Sequence, residues 1–217
     1  MRNKAVLFFL ATAMVIALPA LWAIAATSHL ALHQIVNQWH TAWADQAMPW
    51  ITEAANGWVP VVLTIALLWH SWRAFLMMGL STALGSLAVQ SLKHFLFPGM
   101  DRPAAFLAEM PGLHLVPGVD LHHSFSFPSG HSTAAFGMCL ALAVIWGKRA
   151  PAVGLALLAC ILSYSRVYLS QHFTEDAVAG AALGTFIAWL VYRRLYHGPL
   201  SLRPGLDRSP VRRYSGE

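Results

Sequence analysis

Ser165-Arg166-Val167-Tyr168-Leu169-Ser170-Gln171-His172-Phe173-Thr174-Glu175-Asp176 sits between two long apolar runs, 150–168 and 172–192. Ionisable residues at the rim of a membrane-spanning stretch mark a functional site by default, because charge at that depth is costly. A helix starting near His172 puts Asp176 one turn further along the same face. A carboxylate there holds an imidazole in one tautomer and stabilises its charged form. Arg166 offers a planar set of donors suited to phosphate or carboxylate oxygens. The stretch reads as a nucleophile or base, its orienter and an anion clamp.

Outward from it, composition sets the class. The 217 residues are 57% hydrophobic and 11% charged, with a mean hydropathy of +0.55, against about 25% charged residues in soluble domains. Six apolar blocks, 5–27, 55–72, 74–92, 130–147, 150–168 and 172–192, approach the roughly 20 residues that cross a bilayer. The expectation is an all-α polytopic membrane protein, a bundle of six transmembrane helices over 1–195 with a basic, disordered tail over 196–217. The first block follows Met1-Arg-Asn-Lys and is too long for a signal-peptide core, so it is read as a retained span. Cys139 and Cys160 fall inside apolar blocks and read as small buried hydrophobes.

Lys and Arg accumulate on the cytoplasmic side of membrane proteins. With the N-terminus inside, Arg2, Lys4, Arg73, Lys148, Arg149, Arg193, Arg194, Arg203, Arg208, Arg212 and Arg213 are cytoplasmic, and only Lys93, Arg102 and Arg166 lie outside. Those three need a reason other than orientation. The net charge of +5 follows membrane side, and no nucleic-acid partner is expected.

Two outer connections are long. Residues 28–54 carry Leu32, Ile35, Val36, Trp39 and Trp43 at helical spacing, with polar His33, Gln34, Asn37 and Gln38 between them. This is the pattern of an interfacial helix with tryptophans at headgroup depth, either a packed connector or an element that admits lipid. The proline-rich connection 93–129 is expected to be irregular, with one short helix from Pro103; a loop of that length is usually functional or disordered.

Two further outer segments carry chemistry. Pro128-Ser129-Gly130-His131 precedes a long helix, where Ser129 is a natural N-cap and Gly130 lets the backbone approach a ligand. Such a helix terminus attracts anions. Lys93, Arg102 and Arg166 around one phosphate would neutralise charge growing on its oxygens. His94, His114, His122 and His123 crowd the outer loop without paired helical spacing, and His29, His33, His40, His70 and His197 read as ordinary interface residues. Gly180 and Gly184 form a small-xxx-small face for close helix packing.

Lys93 and Arg102-Pro103, then Pro128-Ser129-Gly130-His131, then Ser165-Arg166-x5-His172-x3-Asp176 together resemble the three-part signature of the type 2 phosphatidic acid phosphatase superfamily. Eight residues separate Lys93 from Arg102, two more than family members commonly have. The resemblance implies a metal-independent, cofactor-free phosphohistidine mechanism. In it His172 attacks phosphorus, Asp176 orients and charges it, and His131 protonates the leaving lipid oxygen and then activates water. Lys93, Arg102, Ser129, Gly130 and Arg166 hold the phosphate oxygens. The implied partner is a phosphorylated lipid in a bacterial inner membrane, with both termini cytoplasmic and the site periplasmic. Undecaprenyl diphosphate, phosphatidylglycerol phosphate and the phosphates of lipid A are the first substrates to try.

A phosphotransferase of the same superfamily would pass the phosphate to a lipid hydroxyl. An intramembrane serine protease using Ser129 leaves Lys93, Arg102 and Arg166 unexplained. A transporter or flippase would place its ionisable groups near mid-membrane, whereas here they gather at one face. A cysteine introduced in the 93–127 loop is expected to react with an impermeant thiol reagent in intact cells; reaction only after permeabilisation inverts this topology.

Overall fold

The computed structural model describes residues 2–211, and its elements follow the apolar blocks. They are α1 (Arg2–Ala26), α2 (His29–Asn37), α3 (Ala42–Glu53), α4 (Trp58–Ala66), α5 (Trp72–Ser91), α6 (Gly130–Trp146), α7 (Arg149–Tyr168) and α8 (Thr174–Tyr196). α4 runs into a 3-10 turn at Leu67–Trp69, and α5 into a π-helical turn at Leu92–Leu96. Among the described residues there is no strand.

All six apolar blocks are helical, but they are not six equal spans. α1, α5 with its extension to Leu96, α7 and α8 are long and apolar enough to cross a membrane. The second block is shorter than its hydropathy implies. Trp58–Trp69 reaches spanning length only together with Ala42–Glu53, at a bend of 52°. α6 has 17 residues and rises about 26 Å, short of a hydrocarbon core of about 30 Å.

α6 tolerates that length because it is the central helix. It is apolar all round, the pattern of a fully buried helix, and packs against α1, α5, α7 and α8. Ala135, Cys139, Leu140, Ala141, Ala143 and Val144 are fully buried. Its start is capped by Ser129, whose Oγ accepts from the Ser132 amide at 3.3 Å. Its end is closed by Gly147 at φ +65°, a left-handed position that favours glycine. Hydroxyls satisfy one another inside: Ser163 donates to Ser132 Oγ at 2.7 Å, and Thr133 to the Gly180 carbonyl at 3.0 Å.

α6 and α8 approach each other closely. A methyl group on Gly180 would sit well inside van der Waals distance of the Ser129 carbonyl oxygen, and one on Gly184 would do the same to the Thr133 carbonyl. Both obstacles are backbone, so neither can swing aside. The contact sets the start of α6 beside the start of α8, where the Ser129 amide donates to the Asp176 carbonyl at 2.9 Å.

Two regions differ from the sequence reading. The segment before α4 is two helices, and three of its polar residues face inward: His33, Asn37 and Thr52 are buried, while Trp39, Trp43 and Trp50 are 65%, 68% and 81% exposed. The buried groups have partners in the protein, so the apolar side is free to meet lipid. At the opposite end, residues 199–207, expected to be disordered, form two 3-10 turns. Buried Arg73 gathers them, donating to the Leu195, Leu200 and Arg203 carbonyls and to both Asp207 oxygens. Arg212 and Arg213 lie outside the described residues.

Gly184→Ala is expected to destabilise the protein by about 1–3 kcal/mol, the range for overpacking a filled core. Gly154→Ala, on α7 with nothing near its added methyl, is expected to be neutral or stabilising. Thermal unfolding in detergent of the two variants checks the difference; equal behaviour would remove the α6–α8 contact from this account.

Candidate active site

The loop between α7 and α8 is short because α8 starts with its own cap. Asp176 is the third residue of the helix, and its Oδ2 reaches back to the Phe173 amide at 2.9 Å. The same oxygen accepts from Ser126 Oγ at 2.5 Å and lies 3.4 Å from His172 Nδ1. His172 precedes the first helical turn, yet its contact with Asp176 is the one expected for residues four apart. Both side chains are 2% exposed. Burial pushes the His172 imidazole down to about 3, and Asp176 opposes that shift; the ring is neutral at ordinary pH.

The cations approach from three elements. Lys93, in the π-helical turn after α5, donates to the Phe125 carbonyl at 2.7 Å. Arg102 donates to the Ser124 carbonyl at 2.9 Å, the Gln171 carbonyl at 3.1 Å and the Phe125 carbonyl at 3.4 Å. The turn and loop thus absorb the extra residues between Lys93 and Arg102 and bring both to one carbonyl. Arg166, near the end of α7, donates to Thr52 Oγ1 at 3.0 Å and to Gln171 Oε1 at 3.4 Å, while its Nε is buried without a partner. Among the described residues none of the three is in an ion pair with a carboxylate.

His131, the second residue of α6, completes the cluster. Arg166, His172, Arg102 and Lys93 are all close enough to interact with it electrostatically. Ser129 is fully buried, its oxygen committed to capping α6, and Gly130 has only ordinary contact with Val89 where a side chain would begin. All eight residues singled out from the sequence lie at one end of the bundle. A cavity of about 530 Å³ between α4, α5 and α6 opens onto Gly130 and His131, lined further by small and apolar residues such as Pro60, Ile65, Gly85 and Val89.

The sequence reading missed four contributors. Ser126 bridges His172 and Asp176, but a serine in an irregular loop carries no signal of its own. Gln171 supplies oxygens to Arg102 and Arg166, and its amide donates to the Asp120 carbonyl. Thr52 receives Arg166 from α3. His33, read as an ordinary interface residue, is 1% exposed, lies 3.1 Å from Ser170 Oγ and stands edge-on to Phe173. It braces Ser170, which holds φ +52°, a conformation that costs a non-glycine residue about 1–3 kcal/mol. Burial lowers His33 to about 4. A polar residue on an apolar-looking helix gives no hint that it faces inward.

Cys139 and Cys160 are free thiols, the first buried and the second half-buried. Donors of metal-ligand type come together elsewhere, at His40, Asp45 and His114.

The chain and its fold have known counterparts. The chain is 35% identical over 141 residues to a lipid A 4'-phosphatase of Bacteroides thetaiotaomicron, covering 62% of this chain and 63% of that protein. The crystal structure of Aquifex aeolicus LpxE superposes with a TM-score of 0.66 at 26% identity, over 76% of this chain and 94% of that one. The same fold occurs in a PAP2-type phosphatidylglycerolphosphate phosphatase from Bacillus subtilis, with a TM-score of 0.65 at 22% identity, over 93% of this chain and 98% of that one. The pattern of the PAP2 superfamily matches residues 71–197, which contain every residue of the cluster from Lys93 to Asp176, and the chain belongs to that superfamily.

Proposed function

We propose that the chain is a membrane lipid phosphatase that removes a phosphate or diphosphate headgroup through a phosphohistidine at His172. The observation that carries this reading is the set of three cations, buried Lys93 and Arg166 with half-buried Arg102, beside a His–Asp pair and without a carboxylate partner among the described residues. Burying a charge is costly unless it is paired, and three that repel one another require an anion. A phosphate meets that requirement, and its oxygens match the donors that face it.

In the first step a neutral His172 nitrogen attacks phosphorus as the bond to the lipid oxygen breaks. With Nδ1 turned to Asp176 and Ser126, Nε2 is the attacking atom, and Asp176 stabilises the cation that forms. His131 gives its proton to the leaving oxygen; the charge of the bound phosphate among the three cations is what lets it carry that proton. Water then yields a proton to His131 and attacks phosphorus, breaking the P–N bond and releasing phosphate. The covalent intermediate divides one difficult step into two. Lys93, Arg102, Arg166 and the Gly130 amide at the start of α6 stabilise charge on the oxygens, while Ser129, whose amide is held by the Asp176 carbonyl, positions that helix start.

The substrate is a lipid on this reading because the cluster opens onto an apolar cavity at the end of a membrane bundle. The lipid A and phosphatidylglycerolphosphate phosphatases similar to this chain point to the same class, with undecaprenyl diphosphate as a third candidate. The excess of Lys and Arg at the opposite end of the bundle supports an outer-face site.

Purified protein with these three lipids is expected to release phosphate with EDTA present, and His172→Ala to lose about three orders of magnitude or more of that rate. Full activity in His172→Ala would sink the mechanism. His131→Ala is expected to accumulate or slow a phosphoenzyme, and rapid turnover of that variant on an ordinary lipid substrate would contradict its acid role. Phosphate recovered on a second lipid, rather than free, would identify a transferase.

Burial of His33 and His172 also makes stability depend on pH. Both folded values, about 4 and about 3, lie below the ordinary 6.5, so on acidification the unfolded chain binds protons first. Stability is whole above about pH 6.5 and falls as pH drops towards 4. The melting temperature is expected to be lower at pH 5 than at pH 7.5, with a smaller drop in His33→Gln; an equal drop in the variant would show that His33 contributes nothing to it.

A further inference from the structure

The turn after α2, the first turn of α3 and the long outer loop meet at a place that the phosphate chemistry does not use. His40, Asp45 and His114 come from those three segments, and one ligand-type atom from each lies within 4.8 Å of the others. His114 Nε2 is 2.9 Å from Asp45 Oδ2. The His40 and His114 rings are stacked, with centroids 3.8 Å apart and planes 12° from parallel. From this geometry we infer a transition-metal site of the zinc class, with His40, His114 and Asp45 as ligands, that clasps the outer loop to α3.

Ligand type decides the metal class. Two imidazoles and one carboxylate suit zinc and its neighbours, whereas magnesium and calcium prefer oxygen alone. Zinc–nitrogen and zinc–oxygen bonds of about 2.0–2.2 Å place tetrahedral ligand atoms about 3.3 Å apart. His114 Nε2 and Asp45 Oδ2, now 2.9 Å apart, would open slightly around the ion, and His40, which is exposed, would turn out of its stack on His114 to bring its nitrogen to it. Water takes the fourth position.

The surroundings hold the ligands in place, as outer-shell partners do in metal sites. Tyr168 donates to Asp45 Oδ1 at 2.5 Å, leaving Oδ2 turned to His114. Asn37, itself buried, grips the backbone of His114 on both sides: it donates to the carbonyl and accepts from the amide, each at 2.8 Å. A simple His–Asp ion pair needs neither the second imidazole nor these braces. Tyr168 lies two residues beyond Arg166 on α7, so the clasp ties the loop to the helix that presents a phosphate-binding arginine. Its residues take no part in the proposed hydrolysis, and the inference stands whatever that site acts on.

The test uses full-length protein in detergent, freed of any purification tag, stripped with EDTA and titrated with zinc sulfate, with bound metal and thermal unfolding as readouts. About one equivalent of zinc per chain is expected, with a rising melting temperature. His40→Ala and His114→Ala are each expected to weaken binding at least tenfold, and Tyr168→Phe by about tenfold. The double variant His122→Ala/His123→Ala, altering two other histidines of the loop, is expected to bind as the parent does. His40 is exposed, so its variant stays folded and keeps the test decisive. Absence of zinc binding by the stripped protein, or unchanged affinity in His40→Ala, overturns the proposal.

Discussion

The contact between α6 and α8 is the constraint on which the site depends. Without side chains at Gly180 and Gly184, the two helices approach until the backbone of one meets the other. That closeness lets the Ser129 amide bond to the Asp176 carbonyl, tying the helix start that carries His131 to the one that orients His172. In an apolar bundle association rests on packing and hydrogen bonds rather than on expelling water, so shape complementarity between small residues sets the distance between the two histidines' supports.

Around this pair, positive charge is held by main-chain oxygen. The carbonyls of Ser124, Phe125 and Gln171 receive Lys93 and Arg102, and the side chains of Thr52 and Gln171 receive Arg166. Neutral oxygens orient the donors without cancelling their charge. A carboxylate in the same place would satisfy the cations and compete with an incoming phosphate. The long loop after α5 supplies the Ser124 and Phe125 carbonyls, and these bonds hold it at the bundle's end.

Asp176 shows how one carboxylate can hold several elements together. One oxygen closes the first turn of α8, accepts from Ser126 and faces His172. The helix start and the imidazole's orientation are therefore one structural feature. His33 adds the second support, since a ring kept neutral by burial fills the space under the strained turn at Ser170 without introducing another charge.

Much of this was legible from residues alone. Helix periodicity and apolar length are local properties, so the blocks, the cap at Ser129, the Gly180–Gly184 face and the ionisable segments could be read along the chain. The eight clustered residues were legible because ionisable side chains at the ends of apolar helices stand out along the chain. What only the tertiary structure decided involves partners distant in sequence. Which side of α2 faces inward depends on Ser170 and His114, the folding of residues 199–207 depends on Arg73, and the meeting of Lys93 with Arg102 depends on the Phe125 carbonyl. Ser126, Gln171 and Thr52 act through positions, not residue types, and a position exists only once the chain has folded.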